Sequence, residues 1–186
     1  MRKEATEEEA LTWLKWATDF CPKPKYLLKV DDDMFVNTFA LISFLKGRPI
    51  AGRFDILCET KANDPPARNP YSKWYMPVEQ YGSDNWPTYC FGGAYIITMN
   101  LVPLLHNASL TTPFVWLEDV FITALIAAQV NQSLRTTHSN RVRLVDIGRR
   151  YDWYGTKNRS SLADGTVLFT HVDSLDARLD MWKQIL

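Results

Sequence analysis

The 186-residue chain is 46% hydrophobic and 23% charged, enough apolar material for one compact core, so a single domain over 1–186 is expected. Its 21 Lys and Arg balance 21 Asp and Glu, which excludes a general field for recruiting nucleic acid or an anionic membrane and leaves any polyanion to be met at a local site. No apolar run approaches the roughly 18 residues of a membrane helix, and the first residues lack the apolar core and cleavage site of a signal peptide.

Thr6-Glu7-Glu8-Glu9 is a capping-box signature, and Ala10, Leu11, Leu14, Ala17 and Phe20 recur at helical spacing, so a helix is expected from about Thr6 to Phe20, stopped by Pro22 and Pro24. Tyr26 to Val30 reads as a short buried strand. Asn37 or Thr38 caps a helix carrying Phe39, Leu41, Ile42 and Leu45, ended by Gly47 and Pro49, and a strand is expected near Ile50 to Phe54. The alternation of helix and strand implies an α/β layer architecture. Cys58 to Pro87 reads as roughly thirty residues of loop, a length that is usually functional. Its aromatics, Tyr71, Trp74, Tyr75, Tyr81 and Trp86, with Tyr89 just beyond, argue for a packed substrate-side segment rather than disorder. Strands follow at Ala94–Thr98, Arg141–Ile147 and Val167–Thr170, a helix at Leu117–Val130, and a last helix capped by Ser174 with Leu175, Leu179, Trp182 and Ile185 on one face.

The chemistry-bearing residues sit at the element ends. Asp31-Asp32-Asp33 follows the strand Tyr26–Val30, and ligands of open α/β sheets gather outside the carboxyl ends of strands. Carboxylates this crowded demand a neutralising partner, and a hard cation with positions left open for phosphate oxygens meets the demand; a solvated turn is the plainer reading. Glu118-Asp119 opens a helix, where the dipole favours acids and would keep Asp119 ionised as a base. Gly92-Gly93, before a strand, allows close backbone approach to a ligand or a tight turn. His171 follows a strand, where a lone histidine is more often a hydrogen-bonded core residue than a ligand. Seven Trp serve either an aromatic core or stacking on sugar faces. Cys21, Cys58 and Cys90 allow at most one internal disulfide and show no CxxC or histidine cluster for zinc. Acceptor sequons occur at Asn107, Asn131 and Asn158, a mild lean toward a secretory compartment.

Taken in order, Lys25-Tyr26-Leu27-Leu28-Lys29-Val30-Asp31-Asp32-Asp33-Met34-Phe35-Val36-Asn37, Tyr89-Cys90-Phe91-Gly92-Gly93-Ala94-Tyr95 and Glu118-Asp119-Val120-Phe121 resemble the β-1,3-galactosyltransferase and β-1,3-N-acetylglucosaminyltransferase family, which is related to the Fringe enzymes. The resemblance implies a GT-A fold with a mixed central sheet flanked by helices. It also implies a UDP-sugar donor, UDP-galactose or UDP-N-acetylhexosamine, and inverting transfer to the 3-hydroxyl of a glycoprotein or glycolipid oligosaccharide. The setting it implies is the lumenal side of the Golgi membrane, on a glycoprotein held by a signal-anchor. By position, Asp33, assisted by Asp31 and completed by His171, would hold Mn²⁺ or Mg²⁺. Asp31, Asp32, Gly92 and Gly93 would meet the donor, Trp74, Tyr75, Tyr89 and Glu118 the acceptor, and Asp119 would be the catalytic base. The family's anchor, stem and first α/β units would lie before Ala10, so the chain is expected to be the C-terminal portion of a catalytic domain. Many relatives carry Gly and often Cys shortly after Glu-Asp-Val; Thr123, Ala124 and Leu125 stand here, so a disulfide from Cys90 to that helix is not assumed. Two competing readings remain: a haloacid-dehalogenase-type phosphatase using Asp31 and Asp33, and a non-catalytic carbohydrate-binding or interaction module.

Overall fold

In the computed structural model, residues 7–48, 53–134, 141–154 and 160–186 are described. Helix α1 (Glu7–Phe20) turns Leu14 and Ala17 into the core. Phe20 departs from the expected face, because steps of three drift around a 3.6-residue helix; it lies tilted against Trp16 at the surface, ring centroids 6.3 Å apart. Strand β1 (Tyr26–Val30) has the expected bounds. It is a sheet edge rather than a buried strand, with Leu28 and Val30 over a third exposed. A tight turn at the three aspartates leads into β2 (Met34–Val36), a strand too short to read from periodicity. Helix α2 (Thr38–Lys46) starts at Asn37, whose side chain accepts from the Ala40 N–H, and ends at Gly47.

Strand β3 (Phe54–Lys61) begins where the expected strand Ile50–Phe54 was to end; Pro49 and residues 50–52 lie outside the described residues, as does Thr6. The sequence hides β3 because Asp55 is buried within it. Arg143, its register partner on β5 (Val142–Asp146), neutralises it through two 2.8 Å hydrogen bonds. The irregular segment therefore starts after Lys61, not at Cys58. Arg68 holds it together by donating to the carbonyls of Met76, Tyr81 and Ser83. Strand β4 (Tyr89–Thr98) is longer than the expected Ala94–Thr98, so Gly92 and Gly93 lie inside the strand rather than before it.

The larger sheet has the order β1-β4-β3-β5, with β4 antiparallel to β1 and β3, and β3 parallel to β5. Its side chains alternate as pleating requires. Tyr95, Ile97 and Ile56 face one layer, made of α1, α3 (Val102–Ser109) and the helical stretch from Glu118. Ala94, Ile96 and Leu57 face the other, where α2 and a second sheet pack. That sheet has the order β2-β7-β6, with β6 (Tyr151–Asp152) and β7 (Phe169–His171); β7 thus includes the histidine expected to follow it. After α6 (Ser160–Ala163), the last helix, α7 (Leu175–Ile185), starts at Ser174, which accepts from the Ala177 N–H. Its packed side is Ala177, Met181, Trp182 and Ile185, while Leu175 and Leu179 face solvent. The result is a mixed α/β architecture with two mixed sheets flanked by helices, consistent with a GT-A-like domain.

The helical stretch expected at Leu117–Val130 runs as α4 (Glu118–Val120), a π-helical segment (Phe121–Ile126) and α5 (Ala127–Ser133). Thr123 in the π segment donates to the Asp119 carbonyl and accepts the Cys90 N–H. Cys90 itself is bonded to Cys58 on the neighbouring strand, so the disulfide runs within the sheet and not to this helix.

Candidate active site

The carboxyl ends of β1 and β3 meet the Gly92-Gly93 stretch of antiparallel β4 at one edge of the larger sheet. The Asp31 N–H donates to the Gly93 carbonyl, and the Met34 N–H donates back to the Asp31 carbonyl, closing the aspartate turn. Beyond it, β2 pairs with β7 in a register that sets Met34 opposite His171, and the Val172 N–H donates to the Asp33 carbonyl. These backbone bonds bring residues 138 positions apart in the chain together: His171 Nε2 is 3.4 Å from Asp33 Oδ2 and 3.5 Å from Asp173 Oδ1.

Lys29 sits behind this edge. Its ammonium donates to Asp31 and to the Gly92 carbonyl, and stands 3.4 Å from Glu118 Oε2. Burial disfavours its charge, yet Glu118 and Asp31 together keep its pKa above the usual lysine value. Glu118 is directed inward, accepting from the Tyr95 hydroxyl (2.9 Å) and the Trp13 indole N–H (3.2 Å). Burial, reinforced by that carboxylate, drives the Tyr95 hydroxyl well above its ordinary pKa.

Asp119, one residue on, points into the cleft. Burial pushes its pKa up to about 6, against the Val120 N–H bond and the Lys29 charge, which pull it down. The expectation that the helix start would lower it is therefore corrected: desolvation outweighs the first-turn dipole and donors. A cleft of about 570 Å³ joins Asp119 and Glu118 to Asp31, Asp33 and His171, across Gly92 and Gly93. Trp74, expected on the acceptor side, lines it. Tyr75 does not; its carbonyl accepts the Trp116 indole N–H. Tyr89 lines an adjoining cavity of about 290 Å³ shared with Trp74 and Asp119, its hydroxyl donating to Asp64. Asp32 is exposed on the turn and outside the cleft lining.

The two glycines make room for protein side chains. A Cβ at Gly92 would meet Asp119, and one at Gly93 would meet the Trp153 ring at 2.5 Å. Trp153 donates its indole N–H to Glu59 and packs edge-on against Phe91, centroids 4.7 Å apart. Phe91 lines the cleft as part of the Tyr89–Gly93 run expected there; Trp153, Trp116, Lys61 and Lys73 also line it and were not anticipated.

A galactosyltransferase family model matches residues 7–137, a span that takes in the three aspartates, the glycine pair and Glu118-Asp119. The chain belongs to the galactosyltransferase family. It is similar to β-1,3-galactosyltransferase 5 of Homo sapiens, 32% identical over 126 residues, or 68% of this chain and 40% of that protein. It is also similar to β-1,3-galactosyltransferase 1 of Mus musculus, 36% identical over 114 residues, or 61% of this chain and 35% of the relative. The same gene product of Pan troglodytes gives the same figures. The match is thus confined to about 40% or less of the relatives' length. Membership of the galactosyltransferase family displaces the phosphatase reading. Trp153 and His171 lie beyond the matched residues, so their part in the site rests on geometry.

The metal shell expected from Asp31, Asp33 and His171 narrows. Among the described residues no group of three or more His, Cys, Asp and Glu side chains gathers as a metal centre, and Asp31 accepts from the Lys29 ammonium. The remaining carboxylate–imidazole pair, half-exposed toward the cleft, offers the oxygen and nitrogen donors that suit Mn²⁺ or Mg²⁺ when phosphate oxygens and water complete the shell.

Proposed function

We propose that this chain supplies the metal- and acceptor-facing part of an inverting β-1,3-glycosyltransferase, moving galactose or an N-acetylhexosamine from a UDP-sugar to the 3-hydroxyl of a glycan. One observation carries the reading: Asp119, a buried carboxylate with its pKa raised to about 6, shares a cleft with the Asp33–His171 pair. A carboxylate tuned toward neutrality is ionised at pH 7 and still basic enough to take a proton from an attacking alcohol. Asp119 accepts the acceptor's hydroxyl proton while the oxygen attacks the anomeric carbon opposite the departing UDP, forming the new glycosidic bond with inversion and without a covalent enzyme intermediate.

Asp33 and His171 would hold Mn²⁺ or Mg²⁺, which when bound neutralises charge on the leaving diphosphate. Lys73 borders the same cleft and adds positive charge there, while Lys61, also on its border, is paired with Glu59. Trp74, Trp116 and Trp153 offer flat apolar faces for sugar rings. Asp31 contacts the donor rather than the metal, and Tyr89 and Glu118 shape the acceptor side; Asp32, exposed on the turn outside the cleft lining, is not carried into the donor site.

The Golgi lumen is the proposed setting. A buried Cys58–Cys90 disulfide supports an oxidising compartment, and among the described residues no helix is long and apolar enough to cross a membrane. Calorimetry with UDP, with and without Mn²⁺, tests the proposal. Metal-dependent UDP binding that disappears in Asp33→Ala supports it. Sugar binding without metal-linked UDP binding would instead favour a non-catalytic carbohydrate-binding module.

A further inference from the structure

The transferase reading leaves the acceptor sequons without a role, and two of them, at Asn107 and Asn131, fall on described residues in opposite environments. We propose that Asn107 is an N-glycosylation site of this chain and that Asn131 stays bare in the folded protein.

Asn107 lies in the last turn of α3. That helix buries Val102, Leu105 and Ser109, and turns Pro103, Asn107 and Leu110 to solvent. Leu110, 67% exposed and three residues along the same face, is an apolar side chain that a sugar ring at Asn107 would cover. No residue of α3 lines the cleft around Asp119, so a glycan there leaves substrate access open.

Asn131 is engaged on both sides of its amide. Its Oδ1 accepts the Val142 N–H at 2.7 Å and its Nδ2 donates toward the Val142 carbonyl at 3.5 Å, joining α5 to the start of β5. A glycan on Nδ2 would be wedged between these elements. A chain modified there would lose the clamp and fail to reach the secreted, folded pool.

The buried Cys58–Cys90 bond supplies the second requirement, because it forms in the same oxidising lumen where nascent chains are glycosylated. In the transfer, the Asn107 amide nitrogen displaces a polyprenol diphosphate from the anomeric carbon of the first N-acetylglucosamine. The N–C bond forms, the C–O bond to phosphate breaks, the amide gives up one proton, and the lipid diphosphate leaves.

The test uses the full chain behind a cleavable signal peptide in mammalian cells, with Asn158→Gln as background because that sequon lies outside the described residues. Peptide mass mapping before and after peptide-N-glycosidase should find one glycan, at Asn107. It should be lost in Asn107→Gln and unchanged in Ser133→Ala, which removes the other sequon without touching the Asn131 amide. Chain retained inside the cell is mapped in the same way. A bare Asn107, or a glycan on Asn131 in disulfide-bonded secreted chain, overturns the proposal. Neither result bears on Asp119 or UDP binding, so this inference and the transferase reading fail separately.

Discussion

Asp119 and Gly92 are in contact: a Cβ on Gly92 would stand 2.9 Å from Asp119 Oδ2 and 3.3 Å from its Cβ and Cγ. The carboxylate can enter the cleft only because β4 carries no side chain at that point. Gly92→Ala should therefore displace the base. The expected outcome is a loss of turnover of roughly 10- to 100-fold, since small misplacements are costly in this range. Metal-linked UDP affinity should be preserved and stability should fall by about 1–3 kcal/mol. Steady-state kinetics beside UDP calorimetry checks it; loss of UDP binding in step with turnover would contradict the argument.

Asp119→Asn should separate activity from stability. Burial raises the folded-state pKa of Asp119 to about 6 from the ordinary aspartate value of 3.8. Below the lower value both folded and unfolded chains carry the proton, and the group adds no pH dependence. Between the two, the unfolded chain releases it while the folded chain keeps it, so stability falls as pH rises, and the cost is complete above 6. That cost is about 3 kcal/mol. The Asn variant should be more stable than the parent at pH 8, and the advantage should vanish near pH 3.5. Urea unfolding at both pH values measures this, while transfer should drop by about 10² to 10⁴.

His171→Ala and Asp33→Ala should each weaken Mn²⁺-linked UDP binding while leaving the fold intact, because both side chains are partly open to solvent. Calorimetry across a Mn²⁺ series reads the coupling directly. Equal metal dependence in parent and variants would remove the pair from the metal site.

Reducing the Cys58–Cys90 bond, or replacing both cysteines by Ala, should cost about 3–4 kcal/mol by loop entropy, given a sequence separation of 32. Since the bond ties β3 to β4 two residues before Gly92, the loss should also loosen the cleft. Chemical unfolding with and without reductant is the measurement.

The parts of the site readable from sequence were those in which one local run carried the signal. Tyr26–Val30 ended in three acids, and Glu118-Asp119 preceded an apolar helix. What escaped depends on distant partners. Asp55 ended the expected strand at Phe54, where β3 in fact begins, because its neutraliser, Arg143, is 88 residues away. The Cys58–Cys90 pairing followed from that strand and was hidden with it. Trp153 enters the cleft through the Gly93 gap and its bond to Glu59, neither of which leaves a local pattern. The raised pKa of Asp119 was missed for a different reason: the first-turn dipole is visible in sequence, whereas desolvation is a property of the packed fold.

Lys29 draws its partners from three stretches of chain: the aspartate turn, the glycine-bearing strand and the start of the helix at Glu118. One ammonium is thus the common anchor for pieces that local folding alone cannot assemble. The reaction centre comes into being only once long-range order is complete. Damage to any of the three stretches should consequently be felt as a fault of the whole cleft, including at sites that never touch a substrate.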